Sequence, residues 1–465
     1  MIKFLFFLRA MNVTYSHPMK KNKYLVFFIT IALTLILHST TWSQTVADSI
    51  NGPVSLKQCV EFALRNQPAV RQASIDEQIN EKDIRIGLSA WLPQVTGTGI
   101  YNYYFQGTPQ SGASGANFPG SSGIRNLSTL GLQLNQVIYN NDVLLAAKTA
   151  KYSRQYYKQN TLSSQINVVS DVSKAFFDVL LSQKQLNITN EDITRLQRSL
   201  KDAFNRYQAG VSDKTDYKQA TISLNNSLAT RKQTEEAIKS KTAYLKQIMG
   251  IGGSKDLALS YDSTRYEQAA VIDTNQQLDV NNRIEYRLLQ TNKVLQNINV
   301  NYYRYGFLPS LSAIGSYNRA YFSHDFSDLY KQAYPTSYAG LTLNLPIFLG
   351  TKRLQNLSKA KLQVERTDLD LENSKNTINT EYVQALANYK SNYTSYQLIR
   401  QNVDLAKDVY KVVSLQYREG VKTYLDVIVS QSDLRTAELN YYNALFQLLS
   451  SKIDLQKALG TLNVE

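Results

Sequence analysis

Two hydrophobic periods alternate along this chain. Leu130, Leu132 and Leu134 alternate with Gly131, Gln133 and Asn135, and Leu341, Leu343 and Leu345 alternate with Gly340, Thr342 and Asn344. A period of two predicts strands with one apolar and one polar face. A further strand precedes each, after Trp91-Leu92-Pro93 and after Phe307-Leu308-Pro309, over roughly 94–106 and 310–322. A Gly/Ser/Pro loop from Gly107 to Gly123 joins the first pair, and 323–337 joins the second. Each pair predicts a β-hairpin, within 92–140 and 308–350.

Downstream of each hairpin the period becomes helical. Asn141 to Ala209 holds neither glycine nor proline; Gly210 follows, then Val211 to Met249 free of both, then Gly250. At an offset of 210 residues the same punctuation returns: Thr351 to Glu419, Gly420, Val421 to Leu459, Gly460. Arg206-Tyr207-Gln208-Ala209-Gly210-Val211 aligns with Gln416-Tyr417-Arg418-Glu419-Gly420-Val421, and Asp216 with Asp426. The chain is a tandem duplication, with repeat 1 over 44–250, a polar segment over 251–275 and repeat 2 over 276–465. Leu, Gln, Lys, Ala and Glu favour helices in these runs, predicting long helices over 141–209 and 351–419 and lower helices over 211–249 and 421–459. At 1.5 Å per residue they reach about 100 Å and about 60 Å. Val427, Leu434, Tyr441, Leu448 and Leu455 lie seven apart, which predicts left-handed supercoiling against a neighbour.

Composition narrows the class. Past the first 43 residues no apolar run approaches the ~20 residues of a membrane helix. Residues 1–43 read as a signal peptide: Lys20, Lys21 and Lys23, an uncharged apolar run from Tyr24 to Leu37, then small and polar residues, with Met19 the more natural start. Of the net charge of +14, five positive charges sit in that segment, leaving +9 spread without a basic cluster, so no nucleic-acid partner is expected. Cys59 is alone and cannot form an intrachain disulfide. His324 and Met249 are the only histidine and methionine past the leader, so neither a catalytic centre nor a metal site nor a cofactor is expected.

The strands raise a closure problem. Four strands cannot close a barrel, and open edges in lipid leave backbone groups unpaired. Three chains would supply twelve strands, with leucines toward lipid and the Gly/Gln/Asn/Thr face toward water. The competing expectation is a soluble exported coiled-coil scaffold or adhesin carrying β-hairpins.

The Leu-Pro lead-in to each hairpin, the strand-to-helix joins at Asn135–Asn140 and Asn344–Gly350, the Tyr-x-x-Gly-Val turns with Asp six residues past the Gly, and Asn66-Gln67-Pro68 together resemble the TolC family of outer-membrane efflux proteins. The resemblance covers almost the whole chain past the leader. It implies a mixed, mostly α fold: a coiled-coil tunnel in the periplasm and four strands per chain completing a twelve-stranded transmembrane β-barrel in a homotrimer. Helices over 55–90 and 276–306 would be upper halves stacked on the lower ones, and 251–275 an equatorial segment. The implied function is a passive duct in a tripartite efflux or type I secretion system, with a periplasmic adaptor and an inner-membrane pump as partners. Outer-membrane lipid would meet Leu130, Leu132, Leu134, Leu341, Leu343 and Leu345. The implied adaptor-contact tip is Arg206, Gly210, Val211, Gly420 and Val421. The implied pore gate is Asp216, Asp426, Tyr417 and Lys422. Lys422 stands where arginine is known in the best-studied form, so a bidentate clamp is lost. Val429 occupies a place where a second acid can occur.

Overall fold

The computed structural model describes residues 52–106, 124–252, 257–260 and 263–464. The expected signal peptide and the Gly107–Gly123 loop lie outside them.

The helices are α1 (Leu56–Asn66), α2 (Pro68–Ser89), α3 (Asn141–Gln208), α4 (Lys214–Met249), α5 (Ser263–Ala269), α6 (Ile284–Arg304), α7 (Lys352–Arg418) and α8 (Tyr424–Leu459). The strands are β1 (Gln94–Tyr103), β2 (Asn126–Tyr139), β3 (Ser310–Ser323) and β4 (Tyr334–Asn344). Both lower helices start three residues later than the glycine spacing predicts. Residues 211–213 and 421–423 are spent on the turn, and Asp213 and Thr423 cap the new helix ends through their side chains. The expected single helix over 55–90 is two. Gln67 adopts φ −65°, ψ 124°, because proline at 68 disfavours α geometry in the residue before it. The expected helix over 276–306 begins only at Ile284, after a 3₁₀ turn at Val280–Asn282.

Glycine punctuation has two jobs. Gly210 (φ 74°) and Gly420 (φ 77°) end the long helices in the left-handed region. The Val211 and Val421 amides donate back to the Arg206 and Gln416 carbonyls at 2.9 and 2.8 Å, closing a Schellman turn at each tip. Gly250 and Gly460 end α4 and α8 in the same conformation, but under crowding. A Cβ on Gly250 would lie 2.6 Å from the Asn66 carbonyl oxygen, and one on Gly460 2.8 Å from that of Asn282. Each lower helix therefore ends against the start of an upper one, α4 against α2 and α8 against α6. At the second junction the buried Arg283 donates to the Ala458 carbonyl (3.2 Å), Glu381 (2.7 Å) and Glu285 (3.0 Å).

The predicted seven-residue thread is buried in α8 at Val427, Leu434, Leu448 and Leu455, and half-buried at Tyr441. In α7 it holds for half the helix. Tyr389, Tyr396 and Val403 are buried and Tyr410 and Tyr417 half-buried, all seven apart, alongside α8. Toward the sheet the buried positions are Ala360, Thr367, Leu371, Ile378, Ala385 and Tyr389, with Leu371 and Ile378 packed on Tyr286 of α6. Those intervals of seven and four average about 3.6 residues per turn, the period of a straight helix.

The four strands form one antiparallel sheet in the order β1-β2-β3-β4. β2 is longer than the leucine alternation indicated, and its pairing with β3 joins the two hairpins. Register puts Gly97 opposite Leu132, Leu132 opposite Tyr317, and Ala313 opposite Leu341. Leu130, Leu132, Leu134, Leu341 and Leu343 thus share one face with Val95, Tyr101, Leu311 and Tyr321, while Leu127 falls on the other. Gln133, Asn135, Ser316, Asn318 and Thr342 share the other. Leu345 lies one residue past β4.

Candidate functional site

The expectations from the sequence fall on two surfaces: the tip at Gly210 and Gly420, and the leucine face of the sheet. Leu130, Leu132, Leu134, Leu341, Leu343 and Leu345 are all exposed in the chain. Among the described residues no helix is long and apolar enough to cross a membrane.

The tip is built around three side chains from three helices. Ala203 of α3, Ala220 of α4 and Tyr424 of α8 are buried together, with Leu200, Tyr217, Tyr417 and Ile428 packed against them. Arg206 links the two repeats. Its guanidinium carbon lies 4.4 Å from the Tyr417 ring centroid, and Nη2 donates to the Tyr417 carbonyl at 3.4 Å. Such a cation–π contact contributes about 0.5–1 kcal/mol at partly exposed sites. Tyr417 stacks obliquely on Tyr424, with centroids 5.8 Å apart. The hydroxyls of both tyrosines are buried without a hydrogen-bond partner among the described residues. Burial pushes both phenols up, with Asp216 and Asp202 adding negative potential, while Arg206 opposes the shift at Tyr417.

The two aligned acids differ. Asp426 closes a capping box: its Oδ2 accepts from the Thr423 amide (2.9 Å) and hydroxyl (2.7 Å). Those bonds, with a smaller contribution from Lys422, hold its carboxyl below the usual range. Lys422 Nζ lies 3.9 Å from Asp426 Oδ1. Asp216 has no such duty, because Asp213 caps α4. Burial, then the neighbouring Asp213, push the Asp216 carboxyl up. Val211 and Val421 are 71% exposed each, matched apolar knobs on the two turns, and Gly210 and Gly420 have open space beside them.

Tyr424 was missed by motif reading. Its signal was the break in the duplication, since the aligned position in repeat 1 is Lys214. Also missed was a buried polar cluster above the tip. Asp192 of α3 accepts from Ser227 of α4 (3.0 Å) and from Gln431 (2.8 Å) and Arg435 (3.3 Å) of α8. It ties α8 to the helix pair of repeat 1.

Helices stacked end to end beside two long ones, with a small sheet at one end, are the architecture of solved outer-membrane channels. The profile of the family described as outer membrane efflux protein matches residues 60–251 and again 290–461, one match per repeat. The chain belongs to that family, whose place is the outer membrane of Gram-negative bacteria. It is 23% identical over 446 residues to the outer membrane protein TolC of Vibrio cholerae, covering 95% of this chain and 96% of that one. It is 23% identical over 440 residues to a probable efflux pump outer membrane protein, TtgC, of Pseudomonas putida, covering 91% and 87%. Among solved structures, the Campylobacter jejuni CmeC outer membrane channel superposes with a TM-score of 0.70 at 20% identity, covering 87% of this chain and 85% of that one.

Proposed function

We propose that three copies of this chain form a passive export duct, the outer-membrane part of a tripartite efflux or type I secretion system. The observation that carries this reading is the sheet: four strands, open at β1 and β4, with Leu130, Leu132, Leu134, Leu341 and Leu343 on one exposed face. Twelve strands from three chains remove the edges. Helix burial supports the same assembly. α8 buries residues along its whole length, whereas α4 buries only Ala220, Ser227, Leu245 and Met249, leaving a flank for a neighbouring copy. In this reading Asp216, Asp426, Tyr417 and Lys422 line and hold the periplasmic entrance. Arg206, Gly210, Val211, Gly420 and Val421 receive the adaptor, which recruits the inner-membrane pump. The 416–430 hairpin moves more than its repeat 1 counterpart on opening. Nothing favours a soluble scaffold or adhesin.

The test is membrane fractionation with planar-bilayer recording. Heat-modifiable trimers in the outer membrane that conduct are expected, and Leu132→Arg with Leu343→Arg abolishes them, since arginine at mid-bilayer costs about 2–4 kcal/mol per site. A soluble periplasmic monomer overturns the reading. Asp216→Ala with Asp426→Ala raises conductance or weakens block by multivalent cations; unchanged values remove the gate assignment.

A further inference from the structure

The four strands contain a single charged residue, Arg319. It lies on the leucine face: register puts it opposite Leu130 on one side and Pro335 on the other, with Tyr317 and Tyr321 two residues away on its own strand. Its side chain is exposed and has no carboxylate partner among the described residues. β3 is an inner strand, flanked on both sides by strands of its own chain. A neighbouring copy added at either sheet edge therefore brings no strand beside it.

A lone cation on a lipid-facing surface is costly unless it reaches charge of opposite sign. Its height decides what it can reach. Arg319 is four residues from the loop end of β3 and nine from the other end. At about 3.3 Å per residue and a tilt near 40°, that is about 10 Å below the outer rim. Just above it is an aromatic collar. Tyr101 meets Phe326 edge-on (5.9 Å), and Tyr321 meets Tyr330 (5.1 Å). Aromatic collars sit at headgroup level. A guanidinium one row below such a collar extends to the phosphates of the outer leaflet.

The guanidinium is also oriented. Nε donates to the Tyr317 hydroxyl at 2.8 Å, and the Tyr321 phenol lies beside it. A guanidinium has five N–H donors in a planar fork. The Tyr317 bond uses the Nε one and the Tyr321 phenol engages another, and the donors that remain match the oxygens of a phosphate.

We propose that Arg319, held by Tyr317, is a binding site for a phosphate group of the outer-leaflet glycolipid, one per subunit. This rests on the reading of the sheet as part of a membrane barrel.

The test uses purified trimers in detergent and native mass spectrometry. Bisphosphorylated lipid A, its dephosphorylated form and inorganic phosphate are the probes. Wild type retains up to three lipid A molecules per trimer. Arg319→Gln and Arg319→Leu assemble normally, because both suit the apolar face better, and lose about tenfold in lipid A retention. Arg319→Lys keeps the charge without the fork and falls between. With dephosphorylated lipid, wild type and variants bind alike. Equal lipid A retention by wild type and Arg319→Leu overturns the site. Displacement of lipid A by millimolar inorganic phosphate overturns the lipid as the ligand and leaves a free anion. Absence of trimers in wild type itself is instead a failure of the membrane-barrel reading.

Discussion

Asp216 and Asp426 occupy equivalent places in the two repeats, and sequence alignment alone makes them a matched pair. Their surroundings separate them. The carboxyl of Asp426 is held low by Thr423, so its contribution to stability is complete above the ordinary carboxylate range and is lost as pH falls through its depressed value. Asp216 has the opposite sign. Burial raises its pKa, the folded chain holds the proton more tightly than the unfolded one, and the group weakens the fold as pH rises past the ordinary value of about 3.9. At pH 7, Asp426→Asn should lower the melting temperature and Asp216→Asn should raise it. On acidification the Asp216 difference disappears first. Thermal melts at stepped pH check both signs. The divergence was invisible in the alignment because it depends on residue 213 against residue 423. Aspartate at 213 supplies its own cap, whereas threonine at 423 recruits the acid three residues on.

At the scale of elements, glycine spacing exposed the duplication but not what each glycine does. Gly210 and Gly250 have the same φ of 74° and look alike in the sequence. Alanine at Gly210 meets only the left-handed backbone penalty, about 1–2 kcal/mol. Alanine at Gly250 adds a collision with the Asn66 backbone, which cannot swing aside as a side chain could. Gly250→Ala should therefore destabilise clearly more than Gly210→Ala, and Gly460→Ala more than Gly420→Ala, in denaturant titrations. Helix breaks were legible where a breaker is local, as at the tips. They were illegible at Ile284, where no breaker residue stands between Ile251-Gly252-Gly253 and Gly306 and tertiary packing sets the start. Strand faces were legible from a period of two. The pairing of β2 with β3 was not, because it joins residues nearly two hundred apart.

The whole molecule is asymmetric in a way the two near-copies conceal. α8 lies inside the subunit, packed on α7 and α3 and tied to Asp192, while α4 lies at its flank. The sequence carried hints of this in Tyr424 against Lys214 and Lys422 against Ser212. Burial alone says which copy is inside.

α7 is unbroken across the point where its buried stripe changes spacing, and Tyr389 stands at that point. Its hydroxyl donates to the Ala270 carbonyl at 3.0 Å and accepts from the Ile272 amide at 2.9 Å, while its ring stacks on Tyr393. The polar segment between the repeats thus grips the helix where its winding changes. A rod clamped at one collar transmits torsion only up to the collar. If the tip widens as proposed, the half below Tyr389 should unwind from α8 while the half nearer the sheet keeps its pitch. Tyr389→Phe removes the grip and keeps the ring. Hydrogen exchange should then rise in α7 above residue 389 as well as below it, and protection unchanged above would show that the collar carries no torque.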